Sequence, residues 1–301
     1  IRLCLVGSEM CIRDRQLGDT MGGLARGGHA PVLITFMMGS SAIIIGVMID
    51  SLNGLMHLFG VLCWMTSAFF VNFWRDPDRK IPNDHDVLVS PADGHVMFVR
   101  RERATGRRPN SEEAKSDLIE VDELTGPWYP EPLANPQEFA TEQRFEAVKP
   151  GQESQTDVYR VAVFMSPLDV HVNRSPCAAT IERMEHRTGH GRKRGPFLPA
   201  MKKESEHNER VRTVFLSGDD LRIEVCQISG ALARTIVPWA GVGDELRRGQ
   251  RYGMIRLGSR VDIRVPANLF EPVVQSAESG NPELPKGQFV QAGSSILFRS
   301  K

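Results

Sequence analysis

The chain has 301 residues, with 37 Lys and Arg against 37 Asp and Glu, 41% hydrophobic and only 7% aromatic residues. That length admits one or two domains with a sizeable core. A net charge of zero without long basic blocks argues against a nucleic-acid binder, whose affinity rests on neutralising phosphates, and a charged fraction of 25% excludes wholesale disorder.

Residues 1–15 do not read as the start of a domain; Leu3 to Arg15 resembles translated sequencing-adaptor read-through and is expected to be a non-native leader. Residues 16–30 form a flank. Pro31 to Ile49 is then a run without a charge, Asp50 interrupts it, and Ser51 to Trp74 has no Asp, Glu, Lys or Arg. A bilayer core needs about 20 apolar residues as helix, so 31–74 reads as a membrane helical hairpin. Arg26 precedes it and Arg75, Arg79 and Lys80 follow, while the turn from Asp50 to Gly54 has no basic residue, which places both ends in the cytoplasm. The alternative for the same pattern is a buried helical hairpin of a soluble protein. No small-residue cleavage site follows before Trp74, which argues against a secretory signal.

From residue 75 to 301 the texture is short apolar runs punctuated by Gly and Pro. Strands are expected at Val87–Val89, His95–Val99, Val158–Phe164, Val211–Leu216, Leu221–Ile228, Arg234–Val237, Arg251–Ile255 and Val261–Val265, several of them alternating as half-buried strands do. A short helix is expected near Pro199–Arg210. Residues 101–157 are polar, acidic and rich in Pro, and read as a long excursion between two strands. Two turns, Gly241–Gly249 and Leu284–Gly293, look like those of lipoyl- and biotinyl-type β-sandwich modules. The fold class is therefore mainly β (α+β): a β-sandwich or barrel-sandwich-like domain behind an N-terminal membrane helical hairpin.

Generic chemistry signals are absent: no GxGxxG after a strand, no P-loop, no HExxH, no GxSxG. Cys4, Cys11, Cys63, Cys177 and Cys226 form no CxxC pair, so neither a disulfide framework nor a metal is assigned. From 181 to 213 nine Lys and Arg face five Asp and Glu, an excess that suits an anionic membrane surface or an ordinary solvated loop equally.

Six motifs in one order carry more. Asn72–Arg79 (Asn-Phe-Trp-Arg-Asp-Pro-Asp-Arg), Ser90–Gly94 (Ser-Pro-Ala-Asp-Gly), Phe164–Arg174, Asn208–Arg210 (Asn-Glu-Arg), Gln227–Arg234 and Gly253–Asp262 together resemble the phosphatidylserine decarboxylase family, over about residues 31–301 without the excursion. The likeness is greatest to its short bacterial branch, with Gly-Ser-Arg-Val-Asp at 258–262.

The resemblance implies a self-processing, pyruvoyl-dependent decarboxylase that turns phosphatidylserine into phosphatidylethanolamine and CO2. Self-cleavage is expected between Gly258 and Ser259, leaving a 43-residue α chain that stays associated with the β chain. Ser259 is the implied precursor of the pyruvoyl cofactor, which would hold the substrate amine as a Schiff base and accept the electrons released with CO2. Ile255 and Leu257 suggest an apolar setting that favours loss of the carboxylate's charge. Asp93 matches the family's acidic residue associated with self-cleavage, or is only an Asx-turn residue before Gly94. His171 matches the Ser-Pro-x-Asp-x-His position and could be a proton donor at the substrate, or a structural histidine. In the long branch a second histidine three residues on drives cleavage; here that position is Arg174. Either His171 serves both steps, or strain and Asp93 suffice, and Arg174 could instead hold a substrate carboxylate or phosphate. The bacterial inner membrane, with the catalytic domain on the cytoplasmic side, is the implied location, and phosphatidylserine and the anionic membrane surface are the implied partners. A homo-oligomer is left open. Two other readings stand beside this one: a membrane-tethered scaffold, which needs neither Gly258 nor Ser259, and a lipoyl-type carrier, for which Lys286 is poorly placed.

Overall fold

The computed structural model describes residues 23–84, 86–104, 145–154, 157–187, 208–218, 221–230, 235–256 and 258–301. It divides into two compact units, one reaching to Asp78 and the other running from Arg79 to Lys301.

The first unit is a helical hairpin. Helix α1 spans His29–Met48 and α2 spans Asn53–Phe73, joined by a 3-10 turn at Asp50–Leu52. The helix begins two residues before the expected start, and Pro31 lies in its first turn, where a missing N–H costs nothing. Glycines bring the helices close: a Cβ at Gly39 would lie 2.5 Å from Trp64 Cδ1, and one at Gly60 would lie 2.9 Å from the Gly39 carbonyl. Ser67 Oγ donates to the Val32 carbonyl at 3.0 Å, adding a polar bond between the helices. Both helices are long and apolar enough to cross a membrane, and only 17% and 11% of their most apolar windows are buried. That exposure is not the pattern of a core hairpin in a soluble protein.

The second unit is built of strands: β1 Val87–Val89, β2 Gly94–Ala104, β3 Phe145–Ala147, β4 Asp157–Met165, β5 Val172–Arg174, β6 Ala179–Arg187, β7 Arg210–Ser217 and β8 Leu221–Ile228. β9 Ile236–Pro238, β10 Glu245–Leu246, β11 Arg251–Ile255, β12 Ser259–Pro266, β13 Phe270–Pro272, β14 Phe289–Val290 and β15 Ile296–Ser300 complete the set. Among the described residues a nine-stranded sheet runs β10-β6-β7-β8-β12-β4-β2-β14 with β3 on β2, beside two three-stranded sheets, β1-β15-β13 and β5-β11-β9. The expected mainly β class with an apolar N-terminal hairpin is what the chain forms.

β12 lies at the centre of the large sheet, antiparallel to β4 over all eight of its residues and to β8 over Arg260–Arg264. Its alternation sets two faces. Val261, Ile263 and Val265 enter the apolar core with Val161, Val163, Val225 and Ile223. Arg260 and Asp262 are buried on the other face: Arg260 Nε donates to Asp262 Oδ1 at 2.8 Å, and Arg160 Nε of β4 to Asp262 Oδ2 at 2.9 Å. Arg160 also pairs with Glu102, and Arg264 bridges Glu102 and Glu224. Both Arg160 and Arg260 lie over the Phe98 ring.

Three expectations change. β12 begins at Ser259 rather than Val261, because the buried ion pair with Asp262 makes Arg260 as much part of the strand as its valines. β2 continues to Ala104, and β3 pairs back onto it, so both edges of the expected excursion are strand. Residues 105–144 lie outside the described residues. Of the expected helix at Pro199–Arg210, only Asn208–Arg210 is described, and there the chain bends into β7 instead. Most of the basic stretch 181–213 also lies outside the described residues.

Candidate active site

Gly258 precedes β12 with φ +68°, a left-handed conformation that favours glycine, and a Cβ there would meet nothing within 4 Å. Ser259 then opens the strand, paired with Met165 and fully buried. Its hydroxyl has no hydrogen-bond partner among the described residues. A buried hydroxyl without one carries a desolvation cost, so this oxygen is held by the fold without being used by it. Ile255, upstream, is buried; Leu257 lies outside the described residues.

His171 is positioned by the turn that its motif encodes. The Ser166 N–H donates to Asp169 Oδ2 at 2.7 Å, and His171 Nδ1 donates to the Asp169 carbonyl at 2.8 Å. A carbonyl only accepts, so Nδ1 carries a proton, and the neutral form of the ring has its lone pair on Nε2. The His171 carbonyl accepts from the Ile255 N–H at 3.2 Å, which ties the buried histidine to the segment leading into Gly258.

Asp93 sits on the other side of β4. His95 pairs with Phe164 and Ser259 with Met165, so the Asp93 turn and Ser259 flank one end of β4, two strand spacings or about 10 Å apart. Gly94 permits this packing, since a Cβ there would lie 2.0 Å from the Phe164 carbonyl oxygen. The carboxylate is taken by Arg79 Nη2 at 2.6 Å and the Ala292 N–H at 2.8 Å, and neither bond goes to Ser259 or His171. Burial pushes its pKa up against the lowering effects of Ala292 and Arg79, with the charge of Asp169 adding to the rise. Arg79, the last residue of the Asn72–Arg79 motif, thus acquires a structural partner that the sequence did not assign.

Arg174 is buried; its Nη1 donates to the Gly249 carbonyl at 3.1 Å and its N–H to the Pro91 carbonyl at 3.0 Å. The turns expected around Gly249 and Gly293 have glycines at φ +72° and +77°, and the Arg174 Cδ lies 3.0 Å from where a Cβ on Gly293 would stand.

Two motifs without a chemical assignment also reach this end of the sheet. Gln227 pairs opposite Val261, and one more residue of that register sets Ser229 opposite Ser259. Ser229 N–H donates to the Glu209 carbonyl and its own carbonyl accepts from Asn208 Nδ2, both at 2.9 Å. Glu209 Oε1 in turn accepts from buried His186 Nε2 at 3.0 Å. The sequence singled out Asn208–Arg210 and Gln227–Arg234 as motifs, but no spacing rule joins them to Ser259.

A family model described as phosphatidylserine decarboxylase matches residues 66–298, which holds every residue of this site. The chain belongs to the phosphatidylserine decarboxylase family. It is 34% identical over 247 residues to a phosphatidylserine decarboxylase proenzyme of Erythrobacter litoralis, covering 79% of each chain. With the proenzyme of Streptomyces griseus it shares 47% identity over 65% of this chain and 63% of that one. A putative archaetidylserine decarboxylase proenzyme of Methanothermobacter thermautotrophicus is 32% identical over 70% of this chain and 77% of its own. No solved structure matches the chain.

Proposed function

We propose that this chain is a self-processing, pyruvoyl-dependent phosphatidylserine decarboxylase that yields phosphatidylethanolamine and CO2. One observation carries the reading: a left-handed glycine followed by a buried serine whose hydroxyl has no partner, within a chain of this family. In processing, Ser259 Oγ adds to the Gly258 carbonyl carbon and the Gly258–Ser259 C–N bond breaks, leaving Gly258 as an ester on the serine oxygen. Removal of the Ser259 Cα proton expels the Gly258 carboxylate and leaves a dehydroalanine, from which water displaces ammonia to give a pyruvoyl group. The orphaned Ser259 oxygen and the open space at Gly258 fit this conversion. The pyruvoyl carbonyl supplies an electron sink for decarboxylation of an amino acid headgroup.

The chain's own residues supply the rest. His171, with its proton on Nδ1, presents a lone pair on Nε2 for moving a proton at Ser259 or the substrate. Asp93 and Arg79 act as a buried pair that holds the Ser90–Gly94 turn against the end of β4, and Arg174 pins the Gly249 turn. After cleavage the α and β chains stay associated, because β12 keeps both β4 and β8 as neighbours. The hairpin would sit in the bacterial inner membrane, with the strand-built unit on the cytoplasmic side where its basic flanks favour it.

The archaetidylserine relative favours a second substrate with the same serine headgroup on ether-linked tails. Intact mass measurement of the purified protein, followed by incubation with phosphatidylserine vesicles, tests the reading. Two chains split after Gly258 and conversion to phosphatidylethanolamine are the expected results; a single unmodified chain that converts no serine lipid overturns it. His171→Ala is expected to lower decarboxylation by already cleaved protein by roughly 10²–10⁴-fold, the range for loss of a positioned acid–base group. Lipid turnover per cleaved chain is the quantity to compare, and an unchanged value would assign His171 a structural role.

A further inference from the structure

The motif that opens at Gln227 has no role in the chemistry above, yet its first residues pair with the strand that carries the reacting serine. Gln227 lies opposite Val261, so it shares a sheet face with Ser259 and is its diagonal neighbour across the β8–β12 pair. Diagonal neighbours stand about 7–8 Å apart at Cα, a span that a long side chain bridges.

The orientation of the Gln227 amide follows from a chain of bonds with a fixed end. Asn173 Nδ2 donates to the Pro91 carbonyl at 3.3 Å, which can only accept, so Asn173 Oδ1 faces Gln227. Gln227 Nε2 donates to that oxygen at 2.8 Å. Its own Oε1 is therefore the free end, buried and without a partner among the described residues. Gly253 makes room for this arrangement, since a Cβ there would lie 3.2 Å from Gln227 Nε2. The Asn173 amide also approaches the sulfur of Met165, the residue paired with Ser259. A buried acceptor without a donor and a buried hydroxyl without an acceptor thus occupy diagonal positions on one face of the β8–β12 pair.

We propose that Gln227 is a positioning residue for self-processing: when the Ser259 hydroxyl rotates into its reacting position, Gln227 Oε1 accepts its hydrogen and so turns an oxygen lone pair toward the Gly258 carbonyl carbon, a bond made in the reacting rotamer and not at rest. The inference rests on the self-processing reading above. The Ser229 hydroxyl, set opposite Ser259 by the register, also has no partner among the described residues, but nothing fixes its rotation, whereas the Gln227 amide is held by Asn173.

The test follows conversion of the full chain to two chains by intact mass, over time after cell-free synthesis with lipid vesicles. Gln227→Leu alone strands the Asn173 oxygen and is expected to lose stability as well as speed. The double variant Asn173→Val/Gln227→Leu removes both partners, which is close to neutral for stability. It is expected to melt with the wild type yet process roughly tenfold more slowly, the effect of one lost neutral hydrogen bond. Wild-type processing by a stable double variant overturns the proposal. Should that variant not fold, Gln227→Glu against Gln227→Met decides. Both lose the Nε2 bond at similar volume, but only Glu keeps an acceptor oxygen, so equal rates overturn the proposal and a faster Glu variant supports it. A wild type that never cleaves overturns the reading beneath it, a result distinct from either.

Discussion

Ser259→Ala is expected to remain one chain of full mass, to make no phosphatidylethanolamine, and to be as stable as the wild type. The first two effects follow from the removal of the only atom that can attack Gly258 in the proposed conversion. The third is specific to this geometry. Most buried serine hydroxyls are hydrogen-bonded, and losing one costs about 1 kcal/mol. Here the oxygen has no partner, so its removal forfeits no bond and relieves a buried polar group of its desolvation cost. Thermal melting of the uncleaved variant should match that of uncleaved wild-type chain within about 0.5 kcal/mol. A variant that still cleaves, or still turns over lipid, would remove Ser259 from the reaction.

The second large effect is expected at Asp262, three residues into β12. Asp262→Asn leaves Arg160 and Arg260 buried without the carboxylate that both bind, and breaking such a pair from one side costs about 3–5 kcal/mol. Denaturant unfolding of the Ser259→Ala background, with and without the second substitution, isolates this loss from any effect of cleavage. The same carboxylate predicts an acid limb. Burial alone would push its pKa up, but the Arg160 and Arg260 guanidiniums outweigh burial and hold it down at about 2. A folded-state pKa below the unfolded one means that the stabilisation is complete above the unfolded value near 4. It is lost as pH falls from there through about 2. The contribution is on the order of 2 kcal/mol. Glu224, held at about 2 by Arg212 and Arg264 against its own burial, reinforces the same limb. Asp262→Asn should therefore flatten the stability profile between about pH 4 and 2, and an unchanged slope would contradict the assignment of Asp262 to it.

The apolar half of this fold was legible in the sequence. Leu221–Ile228 and Arg251–Ile255 were read with their observed limits, because alternating apolar residues between Gly and Pro mark strands directly. The charged half was not. Arg100–Glu102 continue β2, and Arg260 belongs to β12, but arginines and carboxylates look like surface until their partners from other strands are known. At the site, Gly258, Ser259 and His171 were legible as motif positions. Asp93 was as well, but its bond to Arg79 rather than to the serine was not, since it joins residues 14 apart through a turn. The Asn173–Gln227 bond spans 54 residues and two sheets, and no local pattern encodes it.

The central place of β12 bears on how such a protein can be made. The stretch from Ser259 to Lys301 supplies β12, β14 and β15, which pair with β4 and β8, β2 and β1 of the preceding stretch, and β13, which pairs with β15. An uncut chain assembles these pairings as one molecule, with every encounter intramolecular. Once severed, the same pairings require two molecules to meet, at the concentration of each, and a 43-residue fragment with no partner sheet to find its register alone. The proposed cleavage would therefore make folding a one-way passage: the two-chain assembly would inherit an architecture that its separated pieces are poorly equipped to rebuild.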